Sequence, residues 1–328
     1  MKLYRLPNRL VLACSVLVLP LVTTSGVTFN SNTMISPDNT NFDGQDVVVT
    51  NCTVTIDGPH SFASFLVQNG GVLTHSFSAG GSLTDSGTVS NELHELDSTN
   101  AVPLNDTGVV DGSVVVTDTS GLVTFTNGVD YVLSGAGVIT IQRTDTSAIP
   151  DGASVLVSYA TSNSIPTGLF LTIGGDFSVN LGGAVDADAL GYGSGHGLGS
   201  GRGSSGVAPD GSGGGYGGYG GMSSSNAPGG TAYGSSSELP DKGSGGGSGL
   251  GGPGGNGGGL ISLNVGGKLR VDGVISADGQ DATNSRSGGG SGGGIYLTAP
   301  SLSGSGWISS DGGGGSGGGF GGGGGGGF

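Results

Sequence analysis

The chain is poor in the residues that cross-link small extracellular domains and in those that hold polyanions. It has two cysteines and one tryptophan in 328 residues, and only 10% of its residues are charged. Cys14 sits within an apolar N-terminal run, so loss of that run would leave Cys52 alone, and one cysteine excludes an internal disulfide. Nine basic residues face 24 acidic ones, for a formal net charge of −15, and no Lys or Arg occurs between Arg9 and Arg143. A surface of that sign repels phosphate backbones and anionic headgroups, so no nucleic-acid partner is expected. Helical patterning is missing too: apolar residues do not recur at three-and-four spacing over a helical length outside the N-terminal run. The low charge density also departs from the usual composition of disordered chains.

What is present begins with an export signal. Lys2, Arg5 and Arg9 precede an apolar stretch at residues 10–22 that only Ser15 and Pro20 interrupt, followed by small polar residues to Gly26. The stretch is short of the about 20 residues that a membrane span needs. Residues 1–26 are therefore read as a secretory signal peptide, with no membrane insertion after its removal. The expected location is secreted or cell surface.

Glycine divides the remainder, since 59 of 77 glycines lie at residues 182–328. Within that half one phrase recurs three times: LFLTIGGDFSVNLGGAVDADALG at 169–191, LISLNVGGKLRVDGVISADGQ at 260–280 and IYLTAPSLSGSGWISSDGG at 295–313. Each copy has a short alternating run, a Gly or Ser-Gly break, a second run and an Asp, and Asp188, Asp278 and Asp311 occupy equivalent places. Strands that short bury nothing alone, so a repeat of them implies stacking. The alternation puts Ile173, Phe177, Val179 and Val185 inward, stacked on Val265, Leu269, Val271 and Ile275, with Leu302 and Ile308 continuing two rows.

Upstream, Val47 to Val49, Val54 to Ile56, Phe65 to Val67 and Val72 to Thr74 are short β-branched or aromatic runs between Asn, Asp-Gly and Asn-Gly-Gly turns, the texture of further turns of the same stack. Residues 87–161 differ, with longer alternating strands and hairpin punctuation. Val114, Val116, Val123, Phe125, Tyr131, Ile139, Ile141, Val155, Val157 and Tyr159 are expected to form one apolar face. Residues 192–259 are low-complexity and cannot build a hydrophobic core. They form either a flexible loop or an ordered excursion along one flank, with Tyr192, Tyr216, Tyr219 and Tyr233 as the few anchors available.

The series of GG, V-DG-I-SADG, SGGGSGG, IYL and SSDGG phrases resembles the glycine-rich right-handed parallel β-helix repeats, of pectin-lyase-like architecture, found in large secreted or surface-attached bacterial proteins. The resemblance covers about 200 residues in three pieces. It implies an all-β fold: a right-handed parallel β-helix solenoid with an inserted small antiparallel β module and long glycine-rich loops. The expected organisation is a signal peptide at 1–26, solenoid coils at 27–86, the inserted module at 87–161, a coil at 162–191, the glycine-rich loop at 192–259 and further coils at 260–328. Because the last residues are glycine in mid-pattern and offer no cap, the sequence reads as truncated, with C-terminal coils of the same protein missing.

Chemistry is less legible, because that architecture hosts lyases, hydrolases and adhesins alike. Stacked Asp188, Asp278 and Asp311 would repel unless a cation lay between them, which makes calcium the metal to consider. The competing reading, and the preferred one, is that Asp before Gly makes a turn. Lys268 and Arg270 fall in the right repeat for a lyase base but also suit solvent-facing strand positions. His60, His75, His94 and His196 lack metal spacing and are expected on the surface or in turns. Matches to the nucleophile-elbow and dinucleotide patterns are what so much glycine yields by chance. No catalytic or cofactor-binding residue is assigned. The expected role is a non-catalytic structural or adhesive scaffold whose partner is an extracellular surface or polysaccharide. The alternatives are a fragment of a polysaccharide lyase or hydrolase and a glycine-rich matrix or coat component.

Overall fold

The computed structural model describes residues 26–78, 82–97, 100–135, 138–204, 209–234 and 241–317. The signal expected at residues 1–26 lies, but for Gly26, outside the described residues, as does the glycine run at 318–328. The described chain is all-β, with parallel and antiparallel sheets, a single 3-10 turn at Thr40–Phe42 and no α-helix among the described residues.

Three sheets are wholly parallel. The first runs Gly26–Phe29, Asp46–Thr50, Ser64–Gln68, Phe177–Val179, Lys268–Val271 and Ser301–Ser303, each bonded to the next. The second runs Thr33–Ile35, Thr53–Ile56, Val72–Thr74, Ala184–Asp186, Val274–Ser276 and Trp307–Ser309. The third holds Gly58–Phe62, Leu169–Ile173, Leu260–Val265 and Gly294–Thr298. In every sheet the spatial order is the chain order, and the chain visits third, first and second sheet in turn, round after round. In the opening round the 3-10 turn and its flanks take the place of a third-sheet strand, where Gly44 N donates to Ser61 O.

Alternation decides which side chains face inward, and the pairing keeps them in columns. Ile173 lies beside Val265, Phe177 beside Leu269, Val179 beside Val271 and Val185 beside Ile275, as the repeats imply. All eight are buried within one continuous core. At about 1.5–3 kcal/mol for each fully buried large apolar side chain, this column is the main stabilising term of the parallel part. Leu302 and Ile308 continue the rows beside Leu269 and Ile275, yet Leu302 is 60% exposed because no described strand lies beyond it.

The short runs expected at residues 47–74 are strands. Gly58–Phe62 is also a strand, which its Gly, Pro and His obscure; it sits at the end of the third sheet, where Pro59 needs no partner for a missing N–H.

Residues 82–166 leave the parallel sheets and form two antiparallel ones. Ser82–Leu96 pairs with Ala153–Pro166 over its length, and Val115–Asp118 and Thr124–Phe125 extend that sheet. Tyr131–Ser134, Thr140–Arg143 and Val102–Pro103 make the second. The single apolar face expected of this segment is thus shared between two sheets. Val116, Tyr131, Ile141, Val155, Val157 and Tyr159 meet in a separate core, whereas Val123, at a turn, is 51% exposed.

The glycine-rich tract is ordered where it is described. Runs at residues 191–201, 211–221, 243–249, 254–259, 279–282 and 287–293, extended but for turns within the first two, are bonded laterally through their backbones, and residues three apart often address the same neighbour. Gly243 and Gly246 donate to Gly258 and Gly255, Gly255 and Gly258 to Gly288 and Ser291, and Gly288 and Ser291 to Gly247 and Ser244. Gly290 and Gly293 donate likewise to Gln280 and Ala277. A period of three carried by bonds between runs is the habit of polyproline II packing rather than of a pleated strand, and bonds inside a run are confined to the turns at His196 and Ser200 and the reversal about Tyr216. Glycine is needed here for proximity: a Cβ on Gly246, Gly257, Gly258 or Gly290 would collide with a carbonyl of the adjoining run, and none of these has positive φ.

Candidate functional site

The three aspartates do stack. The rows through Asp186, Ser276 and Ser309 continue past the strand ends, with Ala189 N on Asp278 O and Gly279 N on Asp311 O. The carboxylates of Asp188 and Asp278 are engaged along the stack. Asp188 Oδ1 accepts from the Asp278 amide at 2.7 Å, and Asp278 Oδ1 from the Asp311 amide at 2.6 Å, while Asp278 Oδ2 accepts from the Ser309 hydroxyl at 3.0 Å. Asp57 does the same two strands earlier in that sheet, accepting from the Ser76 amide at 2.8 Å and its hydroxyl at 2.6 Å. Each carboxylate thus satisfies an amide of the next round that turns away from its strand. Asp188 is held above the usual carboxylate range, first by partial loss of water, with repulsion from Asp186 and Asp278 adding to it. No group of three or more His, Cys, Asp or Glu that could hold a metal is found among the described residues.

Lys268 and Arg270 occupy the outward positions of their strand, and the Arg270 Nε donates to Asp272 Oδ2 at 2.5 Å. Asp272 in turn accepts from the Ser305 amide at 3.1 Å, and both bonds hold its carboxyl below the usual range.

The histidines depart from expectation. His60, His75 and His94 are buried and only His196 is exposed, because each buried ring is tied to a neighbour that sequence spacing does not reveal. His60 Nδ1 meets Asp43 at 3.0 Å; its Nε2 is the one buried side-chain nitrogen or oxygen without a partner among the described residues. His75 Nδ1 bonds the Ser76 carbonyl at 2.9 Å, so its Nε2 is left to accept from the Leu260 amide at 3.3 Å. Burial pushes His75 below its ordinary value. His94 bonds Glu92, which also accepts from the Tyr159 hydroxyl and the Asn105 amide. Burial and the Glu92 bond push Tyr159 up to about 12.

The glycine tract is moored by a cluster that sequence reasoning only half anticipated. Tyr216 and Tyr233 stack edge to face at 5.0 Å, and Tyr192 and Tyr233 face Lys242, whereas Tyr219 stays exposed. Lys242, buried, donates from Nζ to Thr167 Oγ1 at 2.7 Å and lies 4.9 Å from the Tyr192 ring centre. Burial lowers its pKa to about 8, with Asp241 opposing. Tyr233 OH donates to the Lys242 carbonyl and shares a 2.8 Å bond with Ser244. A second mooring joins Arg286 to the fully buried Asp210, whose carboxylate also takes the Ser225 and Ser224 hydroxyls and is pulled down to about 2, Arg286 contributing most. The signal available for both was rarity: Lys242 is the only basic residue between Arg202 and Lys268.

Clefts among the described residues include two of a size to take a ligand group. One, of about 340 Å³, lies in the glycine tract between Arg202 and residues 225–228. The other, of about 310 Å³, opens in the antiparallel part between residues 109–114 and Leu133, Ser134, Gly135 and Ile139. Neither gathers a nucleophile with a base. In comparison with known proteins, no family model, no curated protein and no solved structure matches the chain.

Proposed function

We propose that the chain is a secreted or cell-surface scaffold whose three parallel sheets wind as a right-handed parallel β-helix and present the antiparallel module and the glycine tract. The observation that carries this reading is the fixed cyclic visiting order together with register-true columns such as Phe65, Phe177 and Leu269. Right-handedness is the sense that parallel crossovers take. A non-catalytic, structural or adhesive role is favoured by how the carboxylates are used: Asp57, Asp188, Asp278 and Asp272 bond amides of the stack rather than converging on a cleft.

Expression with the native N-terminus, followed by fractionation, tests export: accumulation in the medium or on the surface supports it, and retention inside the cell sinks it. Incubation with polyuronates under a spectroscopic assay for unsaturated uronate tests the non-catalytic part. Product formation would favour the lyase alternative.

A further inference from the structure

We propose that the 310 Å³ pocket of the antiparallel module is a docking site for a lysine side chain of a partner protein. Val109, Val114, Leu133 and Ile139 line it, and Asp111 is the one charged residue in its lining. That volume is at the low end for ligand sites and suits one long side chain rather than an extended ligand.

The walls are positioned by the fold. Val110 N bonds Ala160 O at 2.9 Å, Ser113 N bonds Val110 O at 3.1 Å, and the Leu133 strand pairs with Ile141. Val110, also in the lining, is exposed by 38%.

Charge selects the occupant. Residues 87–161 carry nine acidic residues and one basic residue, Arg143, whose Nε is spent on the Ile149 carbonyl. Several of those acids are used internally: Glu92 by Tyr159 and Asn105, Asp118 by the Leu122 and Val123 amides, Asp130 by the Thr126 and Ala148 amides. Asp111 is exposed and has no such partner among the described residues. An apolar slot with a free carboxylate in its lining matches a side chain with a methylene stem and a cationic head, which buries the one and solvates the other. Lysine suits the slot through an unbranched four-carbon stem and a compact charge that asks no fixed geometry of the one carboxylate.

Titration of the methyl-labelled full chain with acetyl-Ser-Lys-Ser-amide, followed by NMR, is the test. The expected result is saturable shifts confined to the methyls of Val109, Val114, Leu133 and Ile139. Asp111→Asn should weaken binding about threefold at low salt, as for an exposed ion pair. Val114→Phe should plug the slot and abolish binding while the other methyl signals stay in place. Equal binding of the leucine or glutamate analogue, shifts scattered over the acidic surface, unchanged affinity in either variant, or no shifts at all would overturn the proposal. This proposal rests on the module being displayed to partners, but its failure leaves the export and scaffold tests untouched.

Discussion

Lys242 is where single-residue energetics are most exposed to test. A lysine whose pKa falls from 10.5 to about 8 on folding is charged in both states below pH 8, where its burial costs stability. Between pH 8 and 10.5 the unfolded chain holds a proton that the folded chain has released, so stability rises with pH, by about 1.4 kcal/mol per unit. Above pH 10 the sign reverses, because burial raises Tyr192, Tyr216 and Tyr233 and the unfolded chain ionises first. Urea unfolding across this range should therefore show a maximum near pH 10 that Lys242→Met removes; a flat profile in the wild-type chain would contradict the assignment. The stacked carboxylates make a different prediction. Asp278→Ala strips an acceptor from the Asp311 amide and should cost about 1–3 kcal/mol, whereas Asp278→Asn keeps the acceptor and should cost less. If the two variants melt alike, the carboxylate is not bonding the amide.

Among the elements, the glycine runs answer to different physics from the strands. A strand tolerates any residue whose side chain suits its face, and the columns through Phe177 and Val185 are filled by whatever apolar volume fits. The glycine runs pack backbone against backbone, so the missing Cβ is itself the fit. Gly258→Ala would drive its methyl into the Ala277 carbonyl and should cost about 3 kcal/mol. Gly44→Ala meets no atom within 4 Å, and its left-handed φ of 73° should cost only about 1–2 kcal/mol. Paired thermal melts check this order. The reverse ranking would mean that the lateral bonds of Gly243, Gly255 and Gly258 do not form.

For the whole molecule, the two cores share no residue: one fills the parallel stack, the other the antiparallel module. The module joins the stack through a single two-stranded antiparallel ribbon formed by Ser82–Leu96 and Ala153–Pro166. Shortening it to a turn between residues 78 and 167 should leave the interior column of the stack intact. The expected outcome is a retained cooperative β-sheet melt by circular dichroism. Its loss would show that the stack depends on the module. Millimolar calcium is expected to leave the melt of the full chain unchanged, since the Asp188 and Asp278 carboxylates already have amide partners.

Much of this was legible in the residues. Strands of three to five residues, their alternation and the column partners of Val265, Leu269, Val271 and Ile275 follow from local pattern and repeat spacing, because side-chain direction in a strand depends only on parity. The coincidence of Asp188, Asp278 and Asp311 follows in the same way. Parity is silent on what lies across space. It could not say that each aspartate would bond the next amide, that His60, His75 and His94 would turn inward, or that Lys242 would be buried against Tyr192. It could not choose between a loose and an ordered glycine tract either. Glycine has no side chain to carry a pattern, and its order rests on backbone bonds between segments as distant as Gly191 and Gly257, which only the tertiary structure brings together.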